Sequence, residues 1–160
     1  MIYLKTTPVG IDKAIQVYQK SLYSFIQSYW SLSEEQILSF GRIHNISGDK
    51  EIYRWYDGSY KTFDMGLERN YAVQFFFIAE DESVYNVIFE NKTSLYMYVN
   101  LQIVKPDISH RADEEVRMDI FKHFKPMESF GGFSAFNIFN SKMDIQPYHA
   151  FRVILNIKYQ

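Results

Sequence analysis

Tyr148-His149-Ala150-Phe151-Arg152-Val153-Ile154-Leu155-Asn156-Ile157-Lys158-Tyr159-Gln160, the last stretch of the chain, decides the fold class. Its odd positions are His149, Phe151, Val153, Leu155, Ile157 and Tyr159. Its even positions are mostly small or polar, with Ile154 the exception. Successive side chains of a strand point to opposite faces, so a period of two with one apolar face predicts a half-buried strand. The chain is therefore expected to end locked into a sheet. His149 falls on the apolar parity at the start of that strand and reads as a partly buried structural histidine rather than a general base.

Working backwards, Met127 to Pro147 is long for a connection and carries Gly131-Gly132 with Phe130, Phe133, Phe136 and Phe139. A structureless loop of that length is unusual inside a compact domain. The stretch is expected to hold either a short strand near Ser134 to Phe139 or an arm ordered by a neighbouring chain, with the glycines as a hinge or turn. Before it, Ser109 or Asp107 is positioned to cap a helix running to Phe124. Asp113, Glu114 and Glu115 sit in its early turns and Lys122, His123 and Lys125 at its end, an order that suits the helix dipole. Ala112, Val116, Ile120, Phe121 and Phe124 form its buried stripe.

The clearest strand is Thr93 to Val104, where Leu95, Met97, Val99, Leu101 and Ile103 alternate with Tyr96, Tyr98, Asn100 and Gln102. Tyr71 to Ala79 is apolar on both faces, the signature of a central strand. Glu80-Asp81-Glu82 reads as a solvated turn into Val84 to Glu90, and Asn91-Lys92 as a second turn. Gly41 to Ile46 and Glu51 to Tyr56 flank Ser47-Gly48-Asp49 as a hairpin, and Asp57-Gly58 leads on to Tyr60 to Phe63. At the front, Thr7-Pro8 introduces a helix whose apolar positions, from Ile11, Ala14 and Ile15 to Phe25, Ile26 and Tyr29, recur at three and four. Ser31-x-x-Glu34 and Ser33-x-x-Gln36 both fit a capping box, which predicts a short helical turn through Leu38. The expected fold is α+β: an N-terminal helix and a helix in the C-terminal half, packed on a mainly antiparallel sheet. It is a single domain over 1–160, with a hairpin insertion at 42–63 and a long loop at 126–147.

Composition narrows the function. The chain has 160 residues, 47% hydrophobic and 22% charged, in the globular range. A net charge of −2 gives no basic field of the kind that duplex binding draws on. There are no cysteines, which excludes disulfides, thiolate zinc sites and cysteine nucleophiles. Met1 to Gly10 has no apolar core of a signal peptide, and the longest apolar run, Phe75 to Ala79, is too short to span a bilayer. The two glycosylation-like triplets at Asn45 and Asn91 then read as turns. The excess is aromatic: 13 Tyr, 14 Phe and 2 Trp. Compositional bias and enrichment at interfaces both account for it.

Catalytic patterns are missing. His110 and Asp113 lie one helical turn apart, but no further ligands at metal-binding spacing accompany them. Glu34-Glu35, Glu80-Asp81-Glu82 and Asp113-Glu114-Glu115 each fall in one turn, not on separate elements facing a cleft. Gly131-Gly132 lacks the Lys-Ser/Thr of a phosphate loop. The reading is a protein that is not an enzyme and needs no cofactor or metal. The basic-aromatic run Tyr53 to Lys61 reads first as a protein interface, second as an ordinary stripe of core and surface residues on a twisted hairpin, and third as a surface for single-stranded nucleic acid.

The unit Leu95 to Val104 followed by the helix to Phe124, and the ending Asp144-Ile145-Gln146-Pro147-Tyr148-His149-Ala150-Phe151-Arg152-Val153, resemble tail-completion and tail-terminator proteins of tailed bacteriophages. The similarity is a pattern of elements over most of the chain. It departs at the hairpin Arg42 to Phe63 and the loop Met127 to Pro147, which leaves a terminator proper and another head-tail connector ring both open. The resemblance implies a virion structural protein, assembled in the host cytoplasm into a hexameric or dodecameric homo-oligomeric ring. That ring joins the portal side to the tail around the DNA channel and touches other phage connector or tail proteins. Loops 57–70 and 126–147 are then the subunit contacts, anchored by Tyr56, Tyr60, Phe63, Phe130, Phe133 and Phe136. Arg54, Lys61 and Arg69 face either neighbouring chains or DNA. Two other readings stand beside this one: an NTF2-like small-ligand-binding domain with His149 as its polar group, and a monomeric inhibitor or immunity protein.

Overall fold

The alternation that ends the chain builds the strand it predicts. The structure, a computed structural model, describes residues 1–48, 52–62, 71–135 and 146–160. In chain order these form β1 (Ile2–Tyr3), α1 (Ile11–Tyr29), a single 3-10 turn (Glu34–Gln36), β2 (Ile37–Asn45), β3 (Tyr53–Tyr56) and β4 (Tyr60–Thr62). There follow β5 (Val73–Tyr85), β6 (Ile88–Asn100), α2 (Leu101–Val104), α3 (Asp113–Phe124), β7 (Phe130–Ala135) and β8 (Tyr148–Tyr159). The strands make one sheet in the order β4-β3-β2-β5-β6-β8-β7, with β1 also paired to β2. β2 runs parallel to β1 and β5, and the remaining ladders are antiparallel. The fold is α+β, with one long helix near the N-terminus, another in the second half and a terminal strand, as the periodicities require.

One face of the sheet carries both long helices. Ile15, Leu22 and Ile26 of α1 and Val116, Ile120 and Phe124 of α3 pack on Phe75 and Phe77 of β5, Leu95, Met97 and Val99 of β6, and Phe151, Val153, Leu155 and Ile157 of β8. Each buried side chain of this size contributes roughly 1.5–3 kcal/mol of transfer free energy. The other face is also buried. Leu38, Phe40, Ile43, Trp55, Phe76, Tyr96, Tyr98 and Ala150 form a second cluster, with Tyr3 stacked on Phe40 at 4.5 Å, Phe76 on Tyr96 at 5.2 Å and Tyr98 on Tyr148 at 4.7 Å. Much of the aromatic excess lies in this layer, and the double burial explains why Tyr71 to Ala79 shows no alternation.

Several local expectations are corrected. Neither Glu80-Asp81-Glu82 nor Asn91-Lys92 is a turn: β5 and β6 form one ribbon, irregular only between Ala79 and Glu82, where β5 gains a residue. Acidic side chains suit an exposed ribbon as well as a loop, and Asn91 is buried, its Oδ1 accepting from the Thr93 hydroxyl. The reversal is at Asn86-Val87, both with positive φ, 46° and 62°. The alternating run through Ile103 stops at Asn100, whose side chain accepts from the backbone N–H groups of Gln102 and Ile103 and so caps α2. There Leu101 and Val104, three apart, are the buried pair, while Ile103 turns outward.

α3 begins at Asp113, without a capping side chain from Asp107 or Ser109. The Ser33–Gln36 capping box forms in full but starts only the 3-10 turn, and Leu38 belongs to β2. α1 begins after Gly10, whose φ of 53° favours glycine. Gly131 and Gly132 lie within β7, at a register shift, rather than forming a hinge. The strand expected near Ser134 to Phe139 starts earlier, at Phe130, and positions after Ala135 up to 145 lie outside the described residues.

Candidate functional site

Among the described residues, three surface regions bring apolar or aromatic side chains together, each built by a different element. The first is the β3–β4 edge. Tyr56 and Tyr60 are register partners across this hairpin, their rings 4.9 Å apart and both exposed. Lys5 stands 5.8 Å from the Tyr56 ring, and Lys61 5.1 Å from the ring of the buried Trp55. Cation–aromatic contacts of this kind hold the basic side chains along the hairpin. Thr6 ties the hairpin to the N-terminal segment through its N–H and hydroxyl, both donating to Asp57; these bonds lower the Asp57 pKa.

The second is at the opposite edge. Phe130 and Phe133 are half-buried: Phe130 meets Phe121 edge-on at 5.4 Å, and Phe133 meets Phe151 at 5.9 Å. Between β7 and α3 they leave an open, mostly apolar groove of about 330 Å³, lined by Met118, Phe121 and Phe133 with Glu114 and Arg117 at its rim. The predicted anchors thus divide between two far edges of the sheet, with Tyr56 and Tyr60 on one and Phe130 and Phe133 on the other. Phe63, Phe136 and Arg69 lie outside the described residues.

The third was not anticipated. The β5–β6 ribbon ends in Val84, Tyr85, Val87 and Ile88, all exposed, Tyr85 by 79% and Val87 by 76%. β2 pairs with β5 only as far as Phe77, so among the described residues the outer stretch of β5 has β6 as its sole ladder partner. The sequence signal was present: Ser83 to Ile88 places apolar residues on both sides of an Asn with no buried neighbour to face. It was masked by reading Glu80-Asp81-Glu82 as the turn.

The titratable groups have structural partners. His149 is buried and stacked on Phe151 at 5.0 Å. His110 pairs with Glu115 at 2.6 Å, not with Asp113, which lies 3.6 Å from Arg111. His123 is held between Phe25 and Phe124, and burial lowers its pKa; His44 is lowered by burial and then by the Arg42 and Lys5 cations. Burial, and then Tyr148, push the Tyr98 hydroxyl up to about 12. Glu80 lies 3.5 Å from Arg152 and 3.7 Å from Lys92, and Asp12 holds Lys5 at 2.8 Å and Arg42 at 2.8 Å. A smaller hollow of about 110 Å³ beside Lys105, His110, Arg111 and Gln146 is closed on one side by Arg111, which donates to Gln146 Oε1 and the Tyr148 carbonyl. Among the described residues no three His, Asp or Glu side chains group to hold a metal, and no helix is long and apolar enough to cross a membrane.

The chain matches no protein-family model, no curated protein and no solved structure.

Proposed function

We propose that this chain is a self-associating structural subunit, a head-tail connector or tail-completion component that closes into a ring around DNA in a phage virion. The observation that carries the reading is the separation of its exposed apolar groups. The ribbon tip, the Tyr56–Tyr60 edge and the α3–β7 groove are distinct patches on distinct elements. A contact between unlike patches is head-to-tail, and such a contact repeats into a ring wherever the rotation closes. Exposed aromatic anchors, as at Tyr56 and Tyr60, are a residue type enriched at protein contacts. The virion placement and the neighbouring tail proteins come from the resemblance of the Leu95–Phe124 unit and the terminal strand.

Light-scattering mass across a concentration series, with particle averaging by electron microscopy, tests this. A closed hexamer or dodecamer is expected. A monodisperse monomer at the highest concentration reached, above all one holding a small molecule in an enclosed cleft, defeats the reading.

A further inference from the structure

We infer that the lysine-bearing ends of α1 and α3 form one surface that takes the phosphate backbone of duplex DNA. The inference rests on the ring reading for the number of copies that meet one duplex, and on charge placement for the contact itself. Sequence supplies the first observation. From Lys13 to Ser33 the chain has no carboxylate, and from Ile120 to Met127 it has none either. On α1 the buried side carries Ile15, Gln19, Leu22 and Ile26. At 3.6 residues per turn Lys13, Val17, Lys20, Ser24 and Ser28 fall on the other side, and all five are exposed. On α3, Val116, Ile120 and Phe124 are buried, while Lys122 and, just past the helix end, Lys125 are exposed.

Packing brings these two ends together. Tyr18 donates to Ser129 Oγ at 2.8 Å, Ser21 Oγ lies 3.4 Å from His123 Nε2, and Trp30 reaches Asp119. Rising positions on α1 meet falling positions on α3, so the first half of one helix lies beside the last turns of the other. Lys13, Lys20, Lys122 and Lys125 therefore share one end of the helix layer. Among the described residues none of the four forms an ion pair. Glu128 is an exposed carboxylate at this end, and Asp12 is taken by both Lys5 and Arg42. The net charge of −2 hides this band because many of the acids lie elsewhere. Glu34, Glu35, Asp113, Glu114 and Glu115 are at the other end of the helix layer, and Glu80, Asp81, Glu82 and Glu90 are on the β5–β6 ribbon.

Residue type then selects the partner. Lysine is depleted at protein contacts, where aromatic rings and arginine are enriched. This band is lysine and serine with a single valine, and no exposed ring lies among the four lysines. An ammonium group is a compact point charge that suits phosphate oxygens and reads no base. Such charges displace counterions from a duplex, which gives one copy a weak, sequence-independent affinity. A ring presents the same band several times to one duplex and multiplies that affinity.

Fluorescence anisotropy of a dye-labelled, mixed-sequence DNA duplex, titrated with the intact chain over a salt series, tests this, with light-scattering mass measured alongside. With one phosphate for each of the four lysines, log K is expected to fall against log[salt] with a slope of roughly −3.6 per copy. Lys20→Glu combined with Lys122→Glu should weaken binding at low salt by about tenfold or more, on AT-rich and GC-rich duplexes alike. Lys20→Gln combined with Lys122→Gln should reduce the slope by about two. Lys158→Gln, which removes a charge from β8 beside Glu90, should leave the slope as it is. Wild type with no salt-dependent binding, or double variants that bind as wild type does, overturn the inference. A double variant that loses assembly mass and keeps its duplex binding makes the band a contact between copies, and overturns it too. A ring that ignores the duplex sinks this inference alone. A monomer whose duplex binding depends on these lysines sinks the ring reading alone, and the contact with phosphate stands.

Discussion

Trp30 donates its indole N–H to Asp119 Oδ2 over 2.9 Å, and Lys105 Nζ lies 2.5 Å from the same oxygen. Residues from the end of α1, the middle of α3 and the segment after α2 thereby meet at one carboxylate that is 5% exposed. Removing one member of a buried pair leaves the others desolvated without a partner. Asp119→Ala is expected to lower stability by about 3 kcal/mol. Asp119→Asn, which can still accept from the indole, should lose less. Urea midpoints of the two variants check the order, and equal losses would show that the ion pair with Lys105 carries the effect rather than the indole bond.

Stability should fall as pH drops through the histidine range. His123 and His44 have pKa values below the ordinary 6.5, chiefly through burial, so the unfolded chain binds protons that the folded chain refuses. Their contribution is complete above 6.5 and is lost as pH falls from there towards the lowered values. Glu115, lowered by its hydrogen bonds, including that from His110, adds a second loss in the carboxylate range, below its ordinary 4.5. Urea midpoints at a series of pH values measure this, and His123→Phe, which keeps a ring against Phe25, should flatten the upper limb. A flat profile above pH 5 would contradict the burial of both rings.

Val87→Gly should stabilise the isolated fold. A non-glycine residue in the left-handed region costs roughly 1–2 kcal/mol, and glycine's greater freedom when unfolded takes back part of the gain. The expected net is about +0.5–1 kcal/mol in thermal or urea unfolding of the monomeric form. A loss of stability would mean that the exposed valine is held by contacts within the chain.

Trp55 anchors the β3–β4 hairpin. It is 1% exposed, with Phe40 at 6.2 Å and Tyr3 at 5.8 Å, while the Tyr60–Thr62 strand beyond it is wholly exposed. Trp55→Ala is expected to cost about 3–5 kcal/mol. Protease cleavage near Asp57–Gly58 should speed up by more than cleavage elsewhere. If cutting rises uniformly along the chain, the hairpin is not a separately anchored unit.

Helices and strands with one clear period were legible because their signal is local. Ile11 to Tyr29 recurs at three and four whatever it packs on, and Phe151 to Ile157 alternates whichever strand lies alongside. Ends were less legible where two local rules competed. At Leu101 to Val104 the alternation predicted more strand, and the Asn100 side chain, satisfying two backbone donors, ended it. At Glu80-Asp81-Glu82 charge suggested a turn, yet paired ribbon is equally compatible with charge when both faces are wet. β1, two residues long, exists only through its pairing with Ser39 and Phe40 of β2, and no window of its own sequence could announce it.

The candidate surface was legible in part. Tyr56 and Tyr60 were named as anchors of the contact loop at 57–70 and are exposed together. Phe130 and Phe133 were named for the loop at 126–147, and they fold inward against Phe121 and Phe151 to shape a groove rather than project from it. The ribbon tip was missed altogether.

Spacing along the chain, by itself, determined that there would be a helix at 11–29, another ending at Phe124, central strands around Phe75 and Leu95, and a closing strand from Tyr148. Those follow from propensity and period, which act between near neighbours. Only the tertiary structure decided that both sheet faces are buried, that Trp30 finds Asp119 across 89 positions, and that Val84 to Ile88 are left in water. Burial is a property of what arrives from elsewhere in the chain, and two stretches equally apolar in sequence part company when only one of them is met.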